Sequence, residues 1–115
     1  QLNAAPPAIE SLVEIKQALG PTIPLIFDSG IRSGEHVVKA LAAGADFVML
    51  GRSAMYGLGA GGGTGLSNVI DMISRETSAV MGLIGQQRPN MIDETCLANH
   101  ASNLPNNVMS GRAAE

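Results

Sequence analysis

A chain of 115 residues, 45% apolar and 15% charged, is long enough for one packed domain and has the composition of an ordinary globular protein. Its net charge of −3 offers no basic field to nucleic acid or an anionic membrane, and Phe27, Phe47 and Tyr56 are too few aromatics for a base-stacking platform. A lone cysteine, Cys96, fits a reducing compartment, and no apolar run approaches the roughly 20 residues of a membrane span, so a cytoplasmic location is expected.

Residues 1–7 (QLNAAPP) read as a loop, since the proline pair discourages helix before Pro7. The chain opens at Gln1 without Met or a signal-like segment, the start expected of a piece of something longer. From Ala8 to Leu19 the spacing of Ile9, Leu12, Val13, Ile15 and Leu19 predicts an amphipathic helix that Gly20 and Pro21 end. Residues 23–27 (IPLIF) form a short apolar run between Pro, Asp and Gly, the mark of a strand buried on both faces. Ser33 can cap a helix whose apolar positions Val37, Val38, Leu41 and Ala42 share one side, with Gly44 as a left-handed stop. Residues 47–50 (FVML) are a second buried strand, closed by Gly51 and Arg52.

Residues 53–60 predict one or two helical turns, and Gly61, Gly62 and Gly63 a flexible joint. Thr64 then caps the longest helix, from Gly65 to Ile84, with Leu66, Val69, Ile70, Ile73, Val80, Met81 and Ile84 at helical spacing and Gly85 as the stop. Met72 and Met81 are core filler rather than cofactor ligands. A short helix is expected from Asn90 or Asp93 through Leu97. Residues 98–115 are polar, Asn-rich and aperiodic, which predicts a flexible tail. The domain division is therefore 1–97 and 98–115.

Two strands joined by one helix make a βαβ unit, so the strands should be parallel with a right-handed crossover. A short helix after the second strand fits an α/β barrel better than a doubly wound sheet. In (β/α)8 barrels a phosphate site is frequently built from the loops after strands 7 and 8 and an extra short helix, which is the layout of residues 28–60. Such a barrel needs about 250 residues, and two parallel strands alone would leave both edges unpaired and one sheet face uncovered, so the fold expected is the C-terminal portion of a TIM barrel, strands 7 and 8 with their helices.

Both strands end in glycine plus charge: Asp28-Ser29-Gly30-Ile31-Arg32 and Gly51-Arg52. Ligands bind at the C-terminal ends of parallel strands. Exposed glycine amides with an arginine beside each point to an anion, a phosphate above all. Turn geometry alone accounts for Gly20, Gly44 and Gly85. Gly30 and Gly51 differ, because each lies directly beyond a buried strand with an arginine nearby. His36 and His100 read as solvated or structural, and Cys96 as a small side chain with no base near it.

The segments IPLIFDSGIRSG (23–34), VKALAAGADFVMLGR (38–52), AMYGLGAGG (54–62) and ETSAVMGLIG (76–85) strongly resemble the C-terminal part of the FMN-dependent 2-hydroxy-acid oxidases and dehydrogenases. That family includes glycolate and lactate oxidases, mandelate dehydrogenase and flavocytochrome b2. The resemblance covers residues 1–97. It implies that Asp28 accepts a hydrogen bond from the FMN ribityl chain. The amides of Ser29, Gly30, Gly51 and Arg52 would hold the phosphate, with the Arg52 guanidinium paired to it and Arg32 close by. The family usually has Gly where this chain has Ser29, a change that matters only if the backbone there needs positive φ.

The family's catalytic His and Arg lie in a motif just before a segment resembling Gln1 and Leu2, so this chain is expected to carry no catalytic residue and to be inactive alone. It implies a missing N-terminal barrel portion, a small 2-hydroxy-acid substrate oxidised to the 2-oxo acid, and a homo-oligomer. Oxygen, a quinone or a cytochrome would take the electrons. No metal is implied. The alternatives are a barrel like IMP dehydrogenase and GMP reductase, which resemble residues 28–51 nearly as well but diverge after Gly51, and a non-catalytic fragment that must dock on its missing half.

Overall fold

In a computed structural model, which describes residues 4–97, the chain runs α1 (Ala8–Leu19), β1 (Ile26–Phe27), α2 (Gly34–Ala42), β2 (Phe47–Val48) and α3 (Arg52–Leu83). Two short 3-10 turns follow, Pro89–Met91 and Glu94–Cys96. The expected tail, 98–115, lies outside the described residues.

The strands pair in parallel, Ile26 with Phe47 and Phe27 with Val48, joined through α2. They are shorter than the runs 23–27 and 47–50, and the expectation of burial on both faces is corrected. Phe27 is buried, but its neighbour Ile26 is 62% exposed and Phe47, opposite Ile26, is 64% exposed. Alternate residues of a strand point to opposite faces, and the helices of this chain cover only one of them.

Helix α2 is the centre of the packing. Ser33 is extended and its Oγ accepts the His36 N–H at 3.4 Å, the cap the sequence predicts. Gly44 has φ 104, which turns the chain out of α2, and a side chain there would meet the Lys16 stem. One side of α2 sends Ala40 and Val37 into a cluster with Leu12, Phe27, Ile31, Ala43 and Ala45. Its other side sends Val38 and Ala42 against Met81 and Ile92. Small residues at these contacts let α2 lie close to its neighbours. Of the five apolar positions in α1 only Leu12 is buried, because only that turn faces the cluster.

Helix α3 departs from expectation at its joint. The break is confined to Gly61 (φ −153, ψ 25) and Gly62 (φ 58, ψ −144), so Gly63 and Thr64 are already helical and Thr64 is not a cap. The positive φ of Gly62 makes the turn with no need of a side-chain cap. The short first half then folds back on the long second half, with the Gly57 and Gly65 backbones so close that a Cβ on either would collide with the other. The single short helix expected near residues 90–97 is instead two turns, the second capped by Asp93 Oδ1 accepting the Thr95 N–H at 3.0 Å. Met81 is core as predicted, whereas Met72 is exposed.

At the other end of the strands from Gly30 and Gly51, Asp46 sets the register. Its Oδ2 accepts the Leu25 N–H at 2.8 Å, its own N–H donates to the Leu25 carbonyl at 2.8 Å, and Lys16 Nζ lies 3.4 Å away. The Leu25 amide, with Lys16 behind it, holds the Asp46 carboxyl below its usual range against the opposing effect of burial. A folded-state pKa below the unfolded value of about 4 adds stability above that value, which is lost as pH falls through the folded pKa. Thermal melts of the parent and Asp46→Asn should therefore differ at neutral pH and converge on acidification below about pH 4. A gap independent of pH would contradict this role.

Candidate functional site

The register brings the two strand-end loops side by side. Met49 N–H donates to Phe27 C=O at 2.9 Å, and beyond it the chains leave the ladder, one through Asp28, Ser29 and Gly30, the other through Leu50 and Gly51. Gly30 turns with φ 61, which favours glycine, while Ser29 is not among the residues of positive φ, so serine fits there without strain. Among the described residues, nothing beyond the adjoining residues of the chain lies within 4 Å of where a Cβ would stand on Gly30 or Gly51. The open side of both turns is free for a ligand to approach the backbone.

Helix α3 starts directly at Arg52. Its N-cap is Gly51, and no side chain caps it. Among the described residues no acceptor takes the amides of Ser29, Gly30, Gly51 or Arg52. Unpaired amides at a helix N-terminus carry partial positive charge and turn toward anions. Asp28, Arg32 and Arg52 are all exposed. Of the six residues expected at the site, Asp28, Ser29, Gly30, Gly51 and Arg52 lie at the ends of paired strands. Arg32 stands one residue past buried Ile31, its amide donating to His36 Nδ1 at 3.3 Å. His36 therefore serves the backbone of this loop, the structural role expected of it. His100 lies outside the described residues.

Two residues at this end of the fold escaped the sequence reading. Ser53 Oγ donates to the Ile31 carbonyl at 2.9 Å, tying the loop after β1 to the first turn of α3. Glu76 Oε2 accepts the Gly34 N–H at 2.8 Å, so α3 caps α2 from a distance of 42 residues. No local pattern marks either contact, since each depends on which elements the fold brings together. Among the described residues no group of His, Cys, Asp and Glu could hold a metal ion.

Residues 1–99 match the family model for FMN-dependent dehydrogenase. The chain belongs to that family. It is 47% identical over 87 residues to L-lactate oxidase of Streptococcus iniae, covering 76% of this chain and 22% of that protein. It is 41% identical over 97 residues to L-lactate dehydrogenase of Acinetobacter baylyi, covering 84% and 25%. Among solved structures it superimposes on a soluble mutant of the membrane-associated (S)-mandelate dehydrogenase from Pseudomonas putida with a TM-score of 0.80, 35% identity, and coverage of 86% and 28%. The chain thus spans about a quarter of the length of the relatives it matches. These structural neighbours are TIM barrels, and the chain superimposes on part of one. The family match favours FMN-dependent dehydrogenases over the nucleotide barrels.

FMN, the cofactor of the family, carries a phosphate dianion and a polyhydroxyl chain. Free amides, open glycine turns, two exposed guanidiniums and one exposed carboxylate at adjacent strand ends fit those two groups by chemistry.

Proposed function

We propose that this chain is the C-terminal part, strands 7 and 8 with their helices, of an FMN-dependent barrel enzyme that oxidises an L-2-hydroxy acid to the 2-oxo acid. The observation that carries the reading is the pair of parallel strands whose adjacent ends present unpaired amides beside Arg52, in a chain of this family. Bound FMN supplies the redox chemistry, accepting two electrons from the substrate. The residues here bind and orient. The amides of Ser29, Gly30, Gly51 and Arg52 donate to the phosphate, and the Arg52 guanidinium balances its charge, with Arg32 adding positive potential at the rim. Asp28 accepts a hydrogen bond from a ribityl hydroxyl. The catalytic base lies upstream of Gln1, so residues 1–115 alone are inactive and need the N-terminal portion of the barrel. The whole protein is a cytoplasmic homo-oligomer; no described helix is long and apolar enough to cross a membrane.

L-lactate is the first substrate to try, because L-lactate oxidases and dehydrogenases are among the relatives. Mixing the whole FMN-loaded protein with L-lactate in the absence of oxygen should bleach the flavin absorption, and D-lactate should leave it unchanged. Flavin that stays oxidised with lactate, glycolate and mandelate alike would contradict the proposed reaction.

A further inference from the structure

We infer that Ser53 is a positioning residue for the phosphate site, its hydroxyl holding the two strand-end loops in register and so setting the preference for a phosphorylated flavin. This rests on the placement of the phosphate proposed above and adds to it a side chain that does not touch the ligand.

The Ser53 hydrogen bond joins two elements of the fold rather than two turns of one helix. Serine and threonine inside helices commonly donate to a carbonyl of the preceding turn. Two residues of α3 do so: Thr77 Oγ1 donates to Ile73 C=O at 2.7 Å and Ser78 Oγ to Ser74 C=O at 3.0 Å. Ser53 also belongs to α3, yet its hydroxyl reaches a carbonyl 22 residues back in the chain, in another loop. Nor is it a cap, since Gly51 holds the N-cap position.

Its partner is well placed to transmit order. Ile31 is buried in the cluster formed with Leu12, Phe27 and Ala40, which fixes the loop from the core side. The Ser53 bond fixes the same residue from the α3 side. Ser29 and Gly30 precede that doubly held residue, Arg32 follows it, and Gly51 and Arg52 precede Ser53. Beyond the Met49–Phe27 bond that ends the ladder, Ser53 makes the next hydrogen bond joining the two loops among the described residues. Four amides can converge on one phosphate only if the loops keep their relative position to a few tenths of an ångström, because hydrogen bonds weaken steeply with distance and angle. The hydroxyl has one proton and gives it to Ile31, so the Ser53 side chain is not itself a donor to the anion.

The test is equilibrium titration of the whole apoprotein with FMN and with riboflavin, which lacks the phosphate, for the parent, Ser53→Ala, Ser53→Thr and Arg52→Ala. Loss of one neutral hydrogen bond should weaken FMN binding about three- to tenfold in Ser53→Ala. Riboflavin affinity should stay within about twofold of the parent, since the other flavin contacts are untouched. Ser53→Thr, which restores the hydroxyl, should restore FMN affinity. Equal loss for both flavins would mean a general structural role and overturn the inference, as would unchanged FMN affinity or failure of Ser53→Thr to rescue. If Arg52→Ala loses the FMN preference while Ser53→Ala keeps it, the inference fails and the phosphate placement stands. If Arg52→Ala keeps the preference, both fail.

Discussion

Replacing Gly34 with Ala is expected to destabilise the whole protein by about 3 kcal/mol or more, at the upper end of what overpacking does. Gly34 opens α2 at the point where α2 touches α3. A Cβ there would fall within contact distance of the Thr77 nitrogen and the Glu76 carbonyl carbon, and 2.6 Å from Glu76 Cβ. Backbone cannot rotate aside as the end of a side chain can, so one helix would have to move off the other. The shift would also pull the Gly34 N–H from the Glu76 carboxylate that now accepts it, removing a cap of about 1 kcal/mol. Alanine's better helix propensity works the other way, but by no more than about 1 kcal/mol. Crowding wins. Of a total stability of roughly 5–15 kcal/mol this is a large share, so the denaturation midpoint and the soluble yield should both fall. Gly82→Ala, near the end of α3, is the control, because among the described residues no group beyond its own stretch of helix lies within 4 Å of a Cβ there. That change should be neutral or mildly stabilising. Equal midpoints for Gly34→Ala and the parent would show that the two helices are not packed as described.

Replacing Arg52 with Ala should weaken FMN binding in the whole protein by about 2–4 kcal/mol, or some thirty- to several-hundredfold. A guanidinium facing a phosphate dianion can make two charge-assisted hydrogen bonds, and a neutral side chain replaces neither. The helix N-terminus and the glycine amides remain, so binding should fall rather than vanish. No ion pair of Arg52 is found among the described residues, and its side chain is exposed. The apoprotein should thus melt at nearly the parent temperature, which separates this variant from Gly34→Ala. Riboflavin affinity should change little. Retention of FMN by Arg52→Ala equal to the parent would remove Arg52 from the phosphate site.

Much of the unit was legible because its signals are local. Ser33 caps α2, Gly44 and Gly85 turn with positive φ at helix ends, Asp93 caps a turn, and the parallel pairing follows from one helix joining two apolar runs. The glycine-plus-charge pattern after each strand located the cluster of free amides for the same reason, since a chain leaving a parallel strand exposes the next few residues at one edge. What escaped the reading is non-local. Asp46 bonding Leu25, Ser53 bonding Ile31 and Glu76 capping Gly34 each join residues 21 or more positions apart, and none of the three makes a distinctive local pattern.

The open strand face, expected of two strands on their own, has a related cause. An apolar run such as IPLIF shows that a strand can be buried on both sides, but the cover for the second side must come from elsewhere. Ile26 and Phe47 are left uncovered by the described helices, as interior residues of a barrel would be when only two of its strands are at hand. The Thr64 cap was misplaced because three consecutive glycines give no indication of which one turns; Gly62 does so, and the helix restarts at once.

The most direct measurement is a crystal structure of the whole protein with FMN bound. The phosphate oxygens should lie about 2.7–3.2 Å from the amide nitrogens of Gly30 and Gly51 and within reach of the Arg52 guanidinium, with a ribityl hydroxyl on Asp28. A phosphate held by other loops, with these amides facing only water, would contradict the assignment of this chain as the phosphate end of the flavin site.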